Sequence, residues 1–323
     1  MYQYVSRFKN KKSDTPDLTN FIPLSIFRKY LSLLPLLPIP VMRILTFDIE
    51  DWFHFLEHRS TKDEVQWKDY EPRVRQNTAN VLEMLEKHSQ KATFFIVGWI
   101  ANKNPGLVKE IADAGHEIGL HSYGHQLIWQ QTPDEFRQDL LRNIGVLEDQ
   151  LGYKVDTFRA PGFSVKRSNL WALEVMAEAG ISADASIFPA LRAHGGMPSF
   201  PNNFPCIIEH NGIRIKEFPV NYSKMAGIRT VVTGGGYFRL WPYSIIRHYT
   251  ENSPYVMGYF HPRDFDLGQP LLRDLGPYRR FRAYYGLRNS QQKLERWISE
   301  YAFTDLRTAD ASINWDEVPV VTL

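Results

Sequence analysis

The chain has 323 residues, 43% of them hydrophobic and 14% aromatic, and its 38 Lys and Arg against 36 Asp and Glu leave a formal net charge of +2. Such a composition suits an ordinary globular protein, one large domain or two small ones. A charge balance this even argues against nucleic acid as a partner, because nucleic-acid binders concentrate basic residues on one face. The single cysteine, Cys206, excludes an intramolecular disulfide and any cysteine-rich metal site.

Residues 1–42 read as an N-terminal extension. Lys9, Lys11 and Lys12 form a basic patch, and the apolar run Leu31–Met42 is interrupted by prolines at 35, 38 and 40. That run is shorter than the ~20 apolar residues a membrane helix requires, and no small-residue cleavage site follows it, which makes a poor signal peptide. An irregular segment covering the bottom of the following domain, or a disordered leader, is expected, with membrane-surface contact through Phe21–Met42 as the alternative. The expected location is the cytoplasm or the cytoplasmic face of the membrane.

Strand and helix patterns then alternate. Arg43–Asp48 reads as a buried strand, and Val74–His88 places apolar or small residues at 74, 78, 81, 82 and 85 on one helical face. Ala92–Val97 is a second strand, a helix runs from Pro105 to Gly115, and Glu117–Leu120 is a third strand leading into His121. Thr132-Pro-Asp-Glu135 spells a capping box for a helix that buries Phe136, Leu140, Ile144, Leu147 and Leu151 and stops at Gly152. A strand over Thr157–Ala160, a helix over Asn169–Ala179 and a strand over Ile181–Asp184 follow. Cys206–Glu209 and Ile213–Val220 flank a His-Asn-Gly hairpin turn, Val256–Phe260 ends at His261, and Gln291–Tyr301 is a late helix.

This alternation predicts an α/β fold with parallel strands and crossover helices. Asp48, His121, Arg159, Asp184 and His261 all fall at the carboxyl ends of strands, where an α/β barrel collects its chemistry. A doubly wound open sheet places residues the same way, but no glycine-rich phosphate loop follows the first strand. Residues 43–265 are expected to form a barrel, with residues 266–323 as a C-terminal extension packed on it.

The chemistry gathers first in Leu45–Phe55, where Asp48, Glu50 and Asp51 stand within four positions. Carboxylates this close raise one another's pKa unless a cation lies among them, and a metal ion is the simplest cation to supply. His121-Ser-Tyr-Gly-His125 offers two imidazoles, one helical turn apart or on one side of a tight loop. Two such nitrogens and a carboxylate suit a zinc ion with open positions. A free carboxylate would take the proton of an attacking water, and His261 would protonate a leaving amine. The Arg159-Ala-Pro-Gly162 turn offers a backbone N–H to an oxyanion, and Arg159 would keep Asp48 ionised. The histidines at 54, 58, 88, 194, 210 and 248 are given surface or core duty, and His116 a structural one.

Thr46-Phe-Asp48, Ala92-Thr-Phe-Phe95, Gly115-His-Glu-Ile-Gly119, the His121/His125 pair, Arg159-x-Pro161 and Tyr259-Phe-His261-Pro occur in this order. The set resembles the NodB-homology polysaccharide deacetylases, carbohydrate esterase family 4, over about residues 43–265. The resemblance implies a distorted (β/α) barrel, a divalent metal, usually zinc, and removal of the N-acetyl group from an amino sugar in a glycan. By position it implies Asp48 as catalytic base, His121 and His125 as metal ligands, Gly162 as oxyanion N–H and His261 as general acid. The first motif departs from the family's two adjacent aspartates. Successive strand side chains alternate, so Asp48 and Glu50 share a face; Glu50 is the expected carboxylate ligand, with Asp51 next.

The Asp48-Ile-Glu-Asp-Trp form, Ser186-Ile-Phe-Pro189 and Gly234-Gly-Gly-Tyr-Phe-Arg239 resemble a bacterial branch that accompanies exopolysaccharide and surface-glycan assembly. Pro161, Asp184, Gly235 and Tyr237 are the candidate substrate contacts; the glycines would let backbone approach a ligand, and Asp184 would orient His261. Arg273, Arg279, Arg280, Arg282 and Arg288 would meet phosphate if the sugar were carried on a pyrophosphate. The competing readings are a catalytically inactive glycan-binding protein and a hydrolase of a small non-sugar amide.

Overall fold

A computed structural model describes residues 41–323 apart from Ala226 and Arg273. The readings made for residues 1–40 and for Arg273 lie outside the described residues. The strands are β1 (Met42–Ile49), β2 (Thr93–Ile96), β3 (Glu117–Leu120), β4 (Thr157–Phe158), β5 (Ala183–Asp184), β6 (Cys206–His210), β7 (Ile213–Glu217), β8 (Ser223–Met225), β9 (Ile228–Thr230), β10 (Tyr255–Phe260) and β11 (Val320–Thr322). Nine of them form one sheet in the order β10-β1-β2-β3-β4-β5-β7-β6-β11, and β8 and β9 pair separately.

β1 runs parallel to both β2 and β10. Ile44, Leu45, Phe47 and Ile49 are all fully buried, so the strand is apolar on both faces, the signature of a parallel strand covered on each side. The expected helices cover it. Val74–Lys87 buries Val74, Thr78, Val81 and Leu85, and Pro133–Leu151 begins on the Thr132/Glu135 capping box and ends at Gly152 with φ +73°. Among the described residues only β6 and β7 pair antiparallel in this sheet, through the hairpin expected at His210-Asn-Gly.

The fold is the expected α/β type with a mostly parallel, barrel-like sheet. Its backbone ladder does not close into a ring among the described residues, since β10 and β11 are its two ends. Residues after β7 and β9 reach the outer edge of β10 through side chains. The Asn221 carboxamide donates to the Tyr255 carbonyl at 2.5 Å and accepts from Met257 N–H at 2.9 Å, while Thr233 Oγ1 donates to the Met257 carbonyl at 2.9 Å. One amide thus satisfies a donor and an acceptor of β10 much as a neighbouring strand would.

The chain after residue 265 enters the same core. Leu294, Trp297 and Ile298 of the helix Ser290–Glu300 are buried, and β11 adds to the sheet parallel to β6. The triple glycine does not form a plain loop: Gly235 opens the helix Gly235–Leu240, and Tyr259 packs so closely that a β-carbon on Gly234 would stand 2.3 Å from its ring. No helix among the described residues is long and apolar enough to cross a membrane.

Candidate active site

The ends of β1, β3, β4 and β10 bring Asp48, Glu50, His121, His125, Arg159 and His261 together. Glu50 Oε1 lies 2.9 Å from His125 Nε2, 3.4 Å from His121 Nε2 and 3.4 Å from His261 Nε2. The two histidines of the His-x-x-x-His motif sit on a tight loop, not a helix. Ser122 and His125 have φ +63° and +49°, a left-handed conformation uncommon for residues with a side chain. The loop is anchored from the helix Pro133–Leu151, whose Asp139 carboxylate accepts the N–H groups of Tyr123 at 2.8 Å and Gly124 at 2.7 Å.

His121 Nδ1 donates to the Arg159 carbonyl at 2.7 Å, which orients the ring so that Nε2 faces Glu50. Glu50 is 4% exposed. Burial alone would raise its pKa, but the charges of His261 and His125 and hydrogen bonds from His121 and His125 hold it well below the usual carboxylate range. Glu50, His121 and His125 each present one ligand atom within 4.8 Å of the others, and Asp48, Glu50 and His261 form a second such trio. Ligands about 2.0–2.2 Å from a tetrahedrally bound ion stand roughly 3.3 Å apart. The 2.9 and 3.4 Å separations of Glu50 from the paired histidines suit a shared divalent metal.

Asp48 Oδ1 accepts from Arg159 Nη1 at 2.8 Å, and Asp48 Oδ2 is 4.0 Å from His261 Nε2. Arg159 is 0% exposed; its Nη1 also donates to Thr46 Oγ1 at 2.7 Å, its Nε to the Ala185 carbonyl at 3.2 Å, and its guanidinium lies 4.2 Å over the Phe95 ring. A buried charge needs such a complete set of partners. Burial works against a charged His261, but Glu50 and the bond to Asp264 outweigh it and raise its pKa to about 9.

Three expected roles require correction. Asp51 is not beside the histidines: its Oδ1 accepts Trp52 N–H at 2.8 Å and its Oδ2 the N–H groups of Arg73 and Val74 at 2.9 and 3.0 Å, so it caps the helix that begins at Val74. Asp184 does not reach His261; it is fully buried, accepts from Ser186 Oγ at 2.5 Å and stands opposite Glu217 in the β5–β7 register. The residue on His261 Nδ1 is Asp264, at 3.0 Å, and its i+3 spacing with Pro at the next position was the available signal. Arg279 gives its guanidinium to the carbonyls of Leu56 and Glu57, at 2.7 and 3.2 Å, so it is not held free for phosphate.

Pro161 and Gly162 form a buried turn in which Gly162 has φ +62°, under Leu56, Leu127 and His194. A β-carbon on Gly235 would stand 3.9 Å from Asp264 Oδ2, and Tyr237 packs toward Phe188 with ring centres 6.2 Å apart. His54, given no special duty by the sequence, is buried beside the cluster. Its Nδ1 accepts Asp51 N–H at 3.0 Å and its ring meets that of His125 edge-on at 5.6 Å. Burial, then the neighbouring His125, hold its pKa well below the usual imidazole range.

Residues 45–183 match the family model described as polysaccharide deacetylase, and residues 185–311 match one described as a domain of unknown function, DUF3473. A Bacillus cereus peptidoglycan-N-acetylglucosamine deacetylase is 32% identical over 119 residues, 33% of this chain and 43% of that protein. The Listeria monocytogenes peptidoglycan-N-acetylglucosamine deacetylase PgdA is 38% identical over 90 residues, 28% of this chain and 19% of that protein. The chain thus spans less than half the length of these relatives. A Mycobacterium smegmatis protein classed by inference as a polysaccharide deacetylase has the same fold, with TM-score 0.59 and 19% identity over 87% of this chain and 92% of that one.

These matches support the polysaccharide deacetylase superfamily for the segment that holds Asp48, Glu50, His121, His125 and Arg159. His261 and Asp264 lie instead in the stretch matching DUF3473, and β10, which carries His261 at its end, pairs directly with β1. The two matched stretches therefore share one sheet and one cluster of side chains.

Proposed function

We propose that this protein is a metal-dependent hydrolase that removes the N-acetyl group from an amino sugar in a polysaccharide or a carrier-linked glycan precursor. The observation that carries the reading is the meeting of three imidazole nitrogens on one Glu50 oxygen, with Asp48 alongside, at a strand-end rim. Glu50, His121 and His125 would hold a divalent ion, zinc by the donor set, which supplies Lewis acidity toward the acetyl carbonyl and the attacking water.

The chain's own residues do the rest. Asp48, fixed by Arg159, accepts a proton from water as its oxygen bonds to the acetyl carbon. The Gly162 N–H, at the rim of the same turn, is the proposed donor to the carbonyl oxygen as negative charge develops there. His261 Nε2 then gives a proton to the amide nitrogen as the C–N bond breaks, leaving acetate and a free amino sugar. Asp264 holds His261 through Nδ1, so that Nε2 faces Asp48 and Glu50.

The exopolysaccharide setting rests on the form of the first motif, and action in the cytoplasm or at the cytoplasmic membrane face is proposed with it. The test is acetate release from N-acetylglucosamine oligomers and nucleotide-linked N-acetylglucosamine, with and without a chelator and with the metal restored. Release that a chelator does not suppress, or that survives Asp48→Asn, contradicts the reading.

A further inference from the structure

A second cleft, about 370 Å³, lies beside the site and is lined by Asp51, Trp67, Lys68, Tyr70, Trp99 and Lys103 among others. Its volume falls within the ~300–1,000 Å³ range of small-molecule sites. It lies at the same end of the sheet, because Asp51 follows β1 and Trp99 follows β2. Only one ring separates it from the histidine pair: the His54 ring centre is 4.3 Å from that of Trp67, 5.7 Å from Trp99 and 5.6 Å from His125.

The walls are held in place. Tyr70 stacks on Phe53 with ring centres 5.5 Å apart and donates its hydroxyl to the Ser60 carbonyl at 2.8 Å, while Trp67 Nε1 donates to the Thr61 carbonyl at 2.9 Å. Trp99, 6% exposed, has an indole N–H with no hydrogen-bond partner, and a buried donor left unpaired is costly. Lys68 and Lys103 are exposed and form no ion pair among the described residues. The Asp51 carboxylate, turned to three backbone N–H groups, makes no ion pair with either lysine. Aromatic walls suit the apolar face of a sugar ring, and two free ammonium groups call for negative charge.

We propose that this cleft is an accessory subsite for a saccharide unit bearing an anionic group, carboxylate or phosphate, next to the N-acetylated unit at Glu50, His121 and His125. The adjacency rests on the deacetylase reading; the anionic-sugar chemistry of the cleft does not.

The test is calorimetric titration of the full chain at low ionic strength with three probes: an N-acetylglucosamine tetramer, a tetramer alternating N-acetylglucosamine with glucuronic acid, and N-acetylglucosamine 1-phosphate. At least one anionic probe should bind about tenfold tighter than the neutral tetramer, the size expected of two partly solvated charges, and added salt should erode that gain. Lys68→Ala/Lys103→Ala should abolish it, with thermal unfolding unchanged as the folding control. The probe that shows the lysine-dependent gain identifies the anion. Equal affinities for charged and neutral probes, or a gain that survives the double substitution, overturn the proposal. Acetate release by the wild-type protein is measured in parallel. Lysine-dependent binding without acetate release would remove the deacetylase reading and keep the cleft, and release without lysine-dependent binding would do the reverse.

Discussion

Asp264 Oδ2 accepts two hydrogen bonds from His261, from the backbone N–H and from Nδ1, each at 3.0 Å. The same carboxylate stands 3.4 Å from Arg239 Nη2. Burial opposes its charge, but Arg239 and His261 outweigh burial and push its pKa below the usual range. A charged acceptor held this way orients the imidazole and supports its protonated form. Asp264→Asn should lower kcat by roughly 10–100-fold with KM little changed, while metal content stays at the wild-type level. Equal losses in kcat and metal content would make Asp264 a support of the ion site instead of a positioning residue for His261.

Glu50 and Asp51 are neighbours in sequence with separate tasks, and two substitutions should separate them. Glu50→Gln should lose bound metal, measured by elemental analysis of dialysed protein, and lose activity with it. Asp51→Asn should keep the metal and lower stability by about 1–2 kcal/mol, the usual worth of a helix cap. Denaturant unfolding reads the second effect.

The Asp48–Arg159 pair is buried on both sides, at 2% and 0% exposure. Arg159→Met would strand a buried carboxylate and should cost about 3–5 kcal/mol, enough to make the protein hard to obtain folded. Asp48→Asn keeps an acceptor for Arg159 Nη1 and should fold, while acetate release falls by about 10²–10⁴-fold, the usual contribution of a general base. A folded, metal-loaded and active Asp48→Asn protein would exclude Asp48 as the base.

Glu217 and Asp184 face each other at the register pair that joins β7 to β5, both fully buried. Burial, then the Asp184 charge, raise the Glu217 pKa well above the usual value, and burial raises that of Asp184. The folded protein therefore holds protons that the unfolded chain releases. This contribution is fully present below the ordinary carboxyl pKa and is lost as pH rises through the raised one. Glu217→Gln keeps a neutral donor and removes that slope. Its Tm relative to wild type should rise between pH 5 and pH 8; a constant difference across that window would show that no proton is held there.

The strand ends that carry Asp48, His121, Arg159 and His261 could be read from the sequence, because buried parallel strands leave continuous apolar runs and the polar residues follow them directly. The shared face of Asp48 and Glu50 followed from strand alternation alone. Asp264 was harder, since its approach to His261 depends on the turn at Pro262–Phe265, whose geometry a spacing of three only permits. Asp139, Glu217 and His54 had no such signal. Each acts on a residue that neither periodicity nor a motif links to it.

The sequence by itself determined the alternation of strands and helices over residues 43–184, the balance of charge and the short list of acids and imidazoles, because these follow from local periodicity and residue chemistry. Only the tertiary structure decided that Asp51 caps a helix while Glu50 meets the histidines, that Asp264 and not Asp184 holds His261, and that β10 lies beside β1. Those outcomes depend on which distant segments share a surface, and that is settled by burial of the whole apolar core, not by any stretch within it.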